Sequence, residues 1–308
     1  MIDGQEGVTW PQWVALAQAC EQHGVPGLFR SDHYGSLGHL RPGSGSLDAW
    51  GTLTGLAAVT TTLRLGTLVS PVTFRHPSVL AKLVTTADHV SGGRIEVGLG
   101  AGWDHSEHDA YGFPFPSARV RAELLREHLE ILIRTWADEP SSFAGTHYAV
   151  TELDAQPKPV QRPHPNIILG GEGGPRSTAL AARYASEYNT GLASLEHVRR
   201  TIARIADACH RGGRDLLPVS VETPVILGVD DAHAQRAVGS LTALLAGDLG
   251  SPVLASPRAS WIVGDVDQAA EQLAVLRDAG VSRVFCQHLQ HEDLEGVALL
   301  GELAQRVA

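Results

Sequence analysis

Lysine is nearly absent from this chain: of its 24 basic residues only Lys82 and Lys158 are lysines. Set against 34 acidic residues, they leave a formal net charge of −10 over 308 residues. So acidic a chain lacks the broad positive field that nucleic acid demands. DNA and RNA are therefore set aside as main partners, although a local positive pocket for a phosphate stays open. Cysteine is scarce too. Cys20, Cys209 and Cys286 are scattered and odd in number, so neither a disulfide framework nor a zinc spacing can be drawn from them. No apolar run approaches the roughly 18 residues of a membrane span. The opening Met1-Ile2-Asp3-Gly4-Gln5-Glu6 has no basic stretch followed by an apolar one, so it does not read as a secretory leader, and a soluble cytoplasmic protein is expected.

What is present is globular. Hydrophobic residues make up 43% and charged residues 19%, ample to bury a core and far from a disordered profile. A length prior of roughly 150 residues per domain suggests two domains. One α/β barrel of roughly 250 residues plus insertions fits as well.

Helical and strand patterns alternate along the chain. Thr9-Trp10-Pro11-Gln12 reads as a capping box, and Trp13, Leu16, Ala17 and Cys20 form the stripe of a helix ending at Gly24. Strands are expected at Gly27–Arg30, Leu63–Val69, Arg94–Leu99, Asn166–Leu169, Glu187–Thr190, Val219–Leu227 and Val284–Cys286. Helices are expected over Asp48–Thr60, Ser78–His89, Ala118–Trp136, Pro175–Tyr184, Leu195–His210, Ala232–Ala246, from Asp265 to Gly280, and over Leu294–Val307. Residues 139–165 break the alternation and read as an insertion, a small hairpin lid. Seven strands plus Met1-Ile2 as the stub of a first make eight, the count of a closed parallel barrel with helices outside. The competing open doubly wound sheet would carry a phosphate loop after its first strand, and none is there. The expected fold is therefore a TIM (β/α)8 barrel with an insertion around 139–165.

Active sites of parallel barrels form where strands end. The second strand runs into Ser31-Asp32-His33, the third into Val69 through Pro77, the fourth into Gly100 through Glu107, and the fifth into Gly170-Gly171-Glu172-Gly173-Gly174-Pro175-Arg176. Four glycines in five positions before a helix leave amides free to converge on an anion, with the helix dipole and Arg176 in support. The plainer reading of the same glycines is a tight turn. Gly98, Gly100 and Gly102 lack the third glycine of a dinucleotide fingerprint at its spacing, and more plausibly let a flat ring lie close to the backbone. His33 is the best candidate for acid–base work, since histidine titrates near neutral pH. A structural histidine is the bland alternative. Asp32 could orient His33 or bind a ligand, or simply form a turn. His105 and His108, with Asp104, Glu107 and Asp109, suggest a metal site less well than a polar turn at the rim, and no metal is expected.

The string as a whole resembles a known family. Ser31-Asp32-His33, Arg64 through Pro71, Phe74-Arg75-His76-Pro77, Ser91 through Trp103, Gly112-Phe113-Pro114, Phe143-x-Gly145-x-His147-Tyr148 and Ile168-Leu169-Gly170-Gly171 occur in order. Together they look like the bacterial luciferase-like superfamily, and most like its coenzyme F420-dependent oxidoreductases. The resemblance is strong from about Gly4 to Asn189 and weaker beyond. The N-terminus departs from the pattern, because the chain begins where the family's first strand should be ending. The resemblance implies one barrel domain over residues 1–308, with a deazaflavin or flavin at the strand C-termini. His33 matches the family's active-site histidine, and Leu68-Val69 matches a non-prolyl cis peptide under the ring. Gly170, Gly171, Glu172, Gly173 and Gly174 with Arg176 match the cofactor's phosphate cradle, and Asp32, Gly100 and Gly102 are placed beside the cofactor. Trp103 and Glu107 would border the substrate. The implied reaction is hydride transfer between F420 and a small organic substrate, with His33 handling a proton. Relatives of this kind are commonly dimers, so a homodimer is implied. Three alternatives stay open: an FMN-dependent monooxygenase, a non-catalytic flavin-binding protein of the same fold, and a metal-dependent barrel hydrolase, for which the strand-end ligands are missing.

Overall fold

Alternating local preferences fix alternating elements, and parallel pairing then winds them around one axis. The computed structural model describes residues 1–36, 44–245 and 260–308. Its strands are β1 (Gly27–Arg30), β2 (Arg64–Thr67), β3 (Ser70–Pro71), β4 (Ile95–Gly100), β5 (Ser141–Ala144), β6 (Ala149–Leu153), β7 (Asn166–Gly170), β8 (Glu187–Gly191), β9 (Val219–Leu227), β10 (Ile262–Gly264) and β11 (Arg283–Gln287). Between them lie α1 (Trp10–His23), α2 (Ala49–Val59), α3 (Pro77–Ser91), α4 (His105–Tyr111), α5 (Ala118–Trp136), α6 (Pro175–Tyr184), α7 (Leu195–Arg211), α8 (Asp231–Leu245), α9 (Val266–Asp278) and α10 (Leu294–Val307). Among the described residues no helix is long and apolar enough to cross a membrane.

Parallel neighbours run β1-β2-β4-β7-β8-β9, and β11 joins β9 on its far side. Met1 and Ile2 complete the ring. The Ile2 amide donates to the Phe29 carbonyl at 2.9 Å, and the Met1 amine donates to the Cys286 carbonyl at 2.8 Å. The Met1 carbonyl in turn accepts from the His288 amide at 2.9 Å. Two residues thus bridge β1 and β11 and do the work of a first strand in a (β/α)8 barrel, as the strand count implied.

Along β4 the pleat sends Ile95, Val97 and Leu99 outward into the buried shell shared with Trp13, Trp50 and Trp136 on the helices. It sends Glu96, Gly98 and Gly100 inward. At the N-terminal mouth, Arg283 spans Glu96 at 2.8 Å and Glu187 at 2.7 Å, with Arg64 also on Glu96. Burial would raise the Glu96 carboxyl, but the two guanidiniums hold it below the usual carboxylate range. Above this ionic plug sit the buried side chains of Phe29, Leu68, Ile168 and Phe285, between the N-terminal mouth and the C-terminal strand ends.

The 139–165 insertion forms an antiparallel hairpin, β5 with β6, but it is no lid. None of its strand residues lines the cavity at the barrel mouth. It is clasped to the outside of α5, where the fully buried Glu127 carboxylate accepts from the amides of Thr146, His147 and Tyr148 at 2.9, 2.9 and 3.0 Å. Burial would raise this carboxyl, yet the three amides hold it below its ordinary value of 4.5. Its stabilisation is therefore present above that value and is lost as pH falls through the lower folded value. Glu127→Ala strands these amides, and a loss of about 2–3 kcal/mol is expected in denaturant titrations at pH 7. The same variant should show faster amide exchange at residues 146–148 and a shallower loss of stability on acidification than the unsubstituted protein.

Candidate active site

The strand C-termini surround a cavity of about 960 Å³. It is large enough for a drug-sized ring system together with a small second molecule. One wall is built by an interruption. The apolar run expected as one strand over Leu63–Val69 instead stops at Thr67, continues through a cis Leu68-Val69 peptide and resumes as β3, which pairs with β4. Leu68 and Val69 bulge inward at this break and line the cavity. The inward glycines make the bulge possible. A Cβ on Gly98 would lie 2.1 Å from the Thr67 carbonyl oxygen, one on Gly100 2.7 Å from Val69 Cγ2, and one on Gly170 3.1 Å from Val69 Cγ1. Gly98 and Gly100 were expected to admit a ring directly, and Gly170 to help cradle a phosphate. All three instead make room for the valine on which a ring could rest.

His33 stands beside this wall. Its Nδ1 lies 2.8 Å from Glu107 Oε2, and the two side chains are 13% and 2% exposed. The other carboxylate oxygen accepts from the backbone amides of Tyr34 and Gly35, the latter at 3.0 Å. A carboxylate on Nδ1 keeps the proton there and leaves Nε2 to exchange one across the cavity. Trp103, 56% exposed, meets the His33 ring edge-on with centroids 5.7 Å apart.

Asp32, the sequence neighbour considered for orienting His33, does something else. It is buried, accepts from Ser70 Oγ at 2.5 Å and from Arg75 at 2.6 and 3.2 Å, and does not line the cavity. Burial would lower the Arg75 pKa, but Asp32 and Asp48 more than offset this and raise it. Asp32 thus pins the loop behind His33 instead of facing a ligand. The orienting role falls to Glu107, because His105–Tyr111 is a helix where the sequence suggested a polar turn. Asp104 caps this helix through the Ser106 and Glu107 amides at 2.9 and 3.4 Å. One turn in, Glu107 points at His33. The helix's His108 is committed on both nitrogens, to the Asp104 carbonyl at 2.5 Å and to Thr73 Oγ1 at 2.6 Å.

The fifth-strand loop contributes less than its glycines promised. Gly170, Gly171 and Glu172 line the cavity, whereas Gly173 and Gly174 do not, and Arg176 is exposed outside it. The Gly171 amide is bound to the Asn189 carbonyl at 3.0 Å and the Gly173 amide to Tyr188 Oη at 2.8 Å. Gly173, at φ +68°, would bring a Cβ to 2.8 Å from Thr201 Oγ1. Packing against β8 and α7 explains these glycines as well as an anion does. What remains for an anion is the start of α6, whose first-turn amides lack intrahelical partners.

The opposite wall was missed. Asp3 and Gln5 come from the closing segment, Asn189 and Glu222 from β8 and β9, and Gln287 and His288 from the end of β11. These residues follow or sit within the first, sixth, seventh and eighth barrel strands, so the strand-end rule that points to His33 points to them as well. Gly102 and Trp103 do line the cavity. Loops 34–47, 103–117 and 247–260 are expected to shape the substrate pocket, because loops vary freely on one scaffold; half of the first and nearly all of the third lie outside the described residues.

Comparisons with known proteins agree with this architecture. A curated F420-dependent glucose-6-phosphate dehydrogenase from Nakamurella multipartita is 28% identical over 311 residues, spanning 93% of this chain and 89% of its own. An FMNH(2)-dependent dimethylsulfone monooxygenase from Pseudomonas putida is 29% identical over 167 residues, 54% of this chain and 46% of its own. In fold, an F420-dependent secondary alcohol dehydrogenase solved in complex with an F420-acetone adduct superposes with a TM-score of 0.82 at 19% identity, covering 100% of this chain and 98% of that one. The family model for luciferase-like monooxygenases matches residues 2–283. With the barrel, the bulged third strand and this match in hand, the chain belongs to the luciferase-like monooxygenase family.

Proposed function

We propose that this protein, as one barrel domain over residues 1–308, transfers a hydride between coenzyme F420 and a small organic substrate. The observation that carries the reading is the His33–Glu107 pair set beside the Leu68-Val69 bulge at the mouth of a cavity wide enough for both molecules. A planar ring suits this wall, which offers apolar Leu68, Val69 and Ala101 and side-chain-free glycines on either side. Leu68, Val69, Gly100, Gly102 and Gly170 to Glu172 would hold the ring and its chain, with the start of α6 near a phosphate. The deazaflavin, when bound, supplies the hydride chemistry.

The chain's own residues do the rest. Glu107 fixes the imidazole and keeps Nδ1 protonated. His33 Nε2 takes a proton from a substrate hydroxyl, or returns one to a carbonyl, as the hydride moves. Trp103 covers the imidazole edge and reduces its contact with water. An FMN-dependent monooxygenase is the second reading, supported by the dimethylsulfone monooxygenase relative and by the ring system common to both cofactors. Separate titrations of the purified protein with F420, FMN and NADPH, followed by tryptophan fluorescence and by the absorbance of each ligand, decide between them. Saturable binding of F420 with F420-dependent turnover of alcohols or carbonyls is expected. A protein that purifies yellow with a flavin spectrum and ignores F420 supports the monooxygenase instead, and one that binds neither ring rejects both readings.

A further inference from the structure

The cavity wall opposite His33 carries a group that the proposed proton transfer does not use. Glu222 points inward from β9, flanked in register by Gly191 of β8 and Phe285 of β11. Among the described residues its carboxyl has no hydrogen-bond partner, while polar groups around it are engaged with one another. Asp3 accepts from Gln287 Nε2 at 2.7 Å, Asn189 Nδ2 donates to Ser220 Oγ at 3.0 Å, the Met1 amine is on the Cys286 carbonyl, and His288 Nε2 is 2.9 Å from the Asp293 carbonyl. The cavity's charge is one-sided as well. The described lining residues include eight carboxyl side chains and not one lysine or arginine. A phosphate dianion entering here would be desolvated against like charge, and among the described lining residues the Met1 amine, already on the Cys286 carbonyl, is the one ammonium or guanidinium to meet it.

We infer that Glu222 is a specificity-determining residue whose carboxyl hydrogen-bonds to the hydroxyl or carbonyl oxygen of an uncharged substrate, and that this cavity discriminates against phosphorylated substrates. Burial, reinforced by the nearby Asp3 carboxylate and opposed by the chain's amine, pushes the Glu222 carboxyl up to about 8. At neutral pH it then carries the proton that such a hydrogen bond needs. This substrate class rests on the proposed activity but is tested apart from it.

The test is ligand binding to the cofactor-free protein by saturation-transfer NMR, using 2-propanol, cyclohexanol and glucose, each against its phosphate monoester. At least one neutral alcohol should bind saturably at pH 7, and every phosphate ester at least tenfold more weakly. Alcohol affinity should fall at least fivefold between pH 7 and 9.5 with a midpoint near 8. Glu222→Gln, whose amide still donates, should keep the pH 7 affinity within threefold and lose the alkaline fall. Glu222→Ala should lose at least tenfold, and melting curves should confirm that both variants fold. The inference is overturned if no alcohol binds, if a phosphate ester binds as tightly as its alcohol, or if the alkaline fall survives in Glu222→Gln. A protein that binds F420 but fails here keeps the proposed activity. One that passes here but binds neither F420 nor FMN loses that activity alone.

Discussion

His33→Ala should lower turnover by about 10²–10⁴-fold, the span associated with losing a positioned acid–base group. The melting temperature should change by no more than a few degrees, because the ring contacts chiefly Glu107 and Trp103 at the cavity edge and leaves the buried shell untouched. Glu107→Gln provides the sharper companion. The Glu107 oxygen facing Tyr34 and Gly35 must accept from two amides. A glutamine therefore keeps its oxygen there and turns its NH₂ toward His33 Nδ1. That geometry moves the ring proton to Nε2, the nitrogen that has to accept one. About 10²-fold should be lost in kcat with KM nearly unchanged. Had Glu107 only bordered the substrate, as the sequence suggested, the same variant would move KM and leave kcat alone.

Placing side chains on the inward glycines should produce the next largest effects, and the two positions should differ in kind. Gly98→Ala directs its methyl at the Thr67 backbone carbonyl, where no rotamer change can relieve a 2.1 Å approach. β2 and β4 must separate, with an expected cost of about 3 kcal/mol or more and loss of ring binding. At Gly100 the added methyl meets only the end of the Val69 side chain, at 2.7 Å. Gly100→Ala should cost about 1–3 kcal/mol by overpacking. Gly100→Ala combined with Val69→Ala should recover most of that stability, while Gly98→Ala with Val69→Ala should recover little. Urea denaturation of the four variants and both parents, read as double-mutant cycles, measures the difference. Equal rescue at both positions would mean that the valine bulge, and not the backbone contact, is what Gly98 accommodates.

Much of the architecture was legible because periodicity, capping and strand count agree. Val219–Leu227, Ala118–Trp136 and Leu294–Val307 occur with the bounds their patterns implied. The capping boxes at Thr9 and Asp265 form as written. Even Met1-Ile2, too short to carry a pattern, earned its place through the count of eight. The bulge at Leu68-Val69 was hidden from periodicity, since alternating Leu65, Thr67 and Val69 describe an unbroken strand equally well. Only the family resemblance pointed to it. Short helices are weakly encoded too. His105–Tyr111 spans two turns of mostly polar residues, so Glu107 read as solvated until Asp104 capped the helix and turned it toward His33. Asp32 misled for the opposite reason: adjacency to His33 on one strand end sends consecutive side chains to opposite faces. The Glu222 wall depends on contacts across β8, β9, β11 and the N-terminal segment, which no local window contains.

The most direct measurement is a crystal structure of the protein soaked with F420. The ring is expected to lie against the Leu68-Val69 bulge, its reactive carbon facing the cavity interior and within one substrate's width of His33 Nε2. Density for the deazaflavin at any other surface, or a ring held away from both the bulge and the imidazole, would contradict the account.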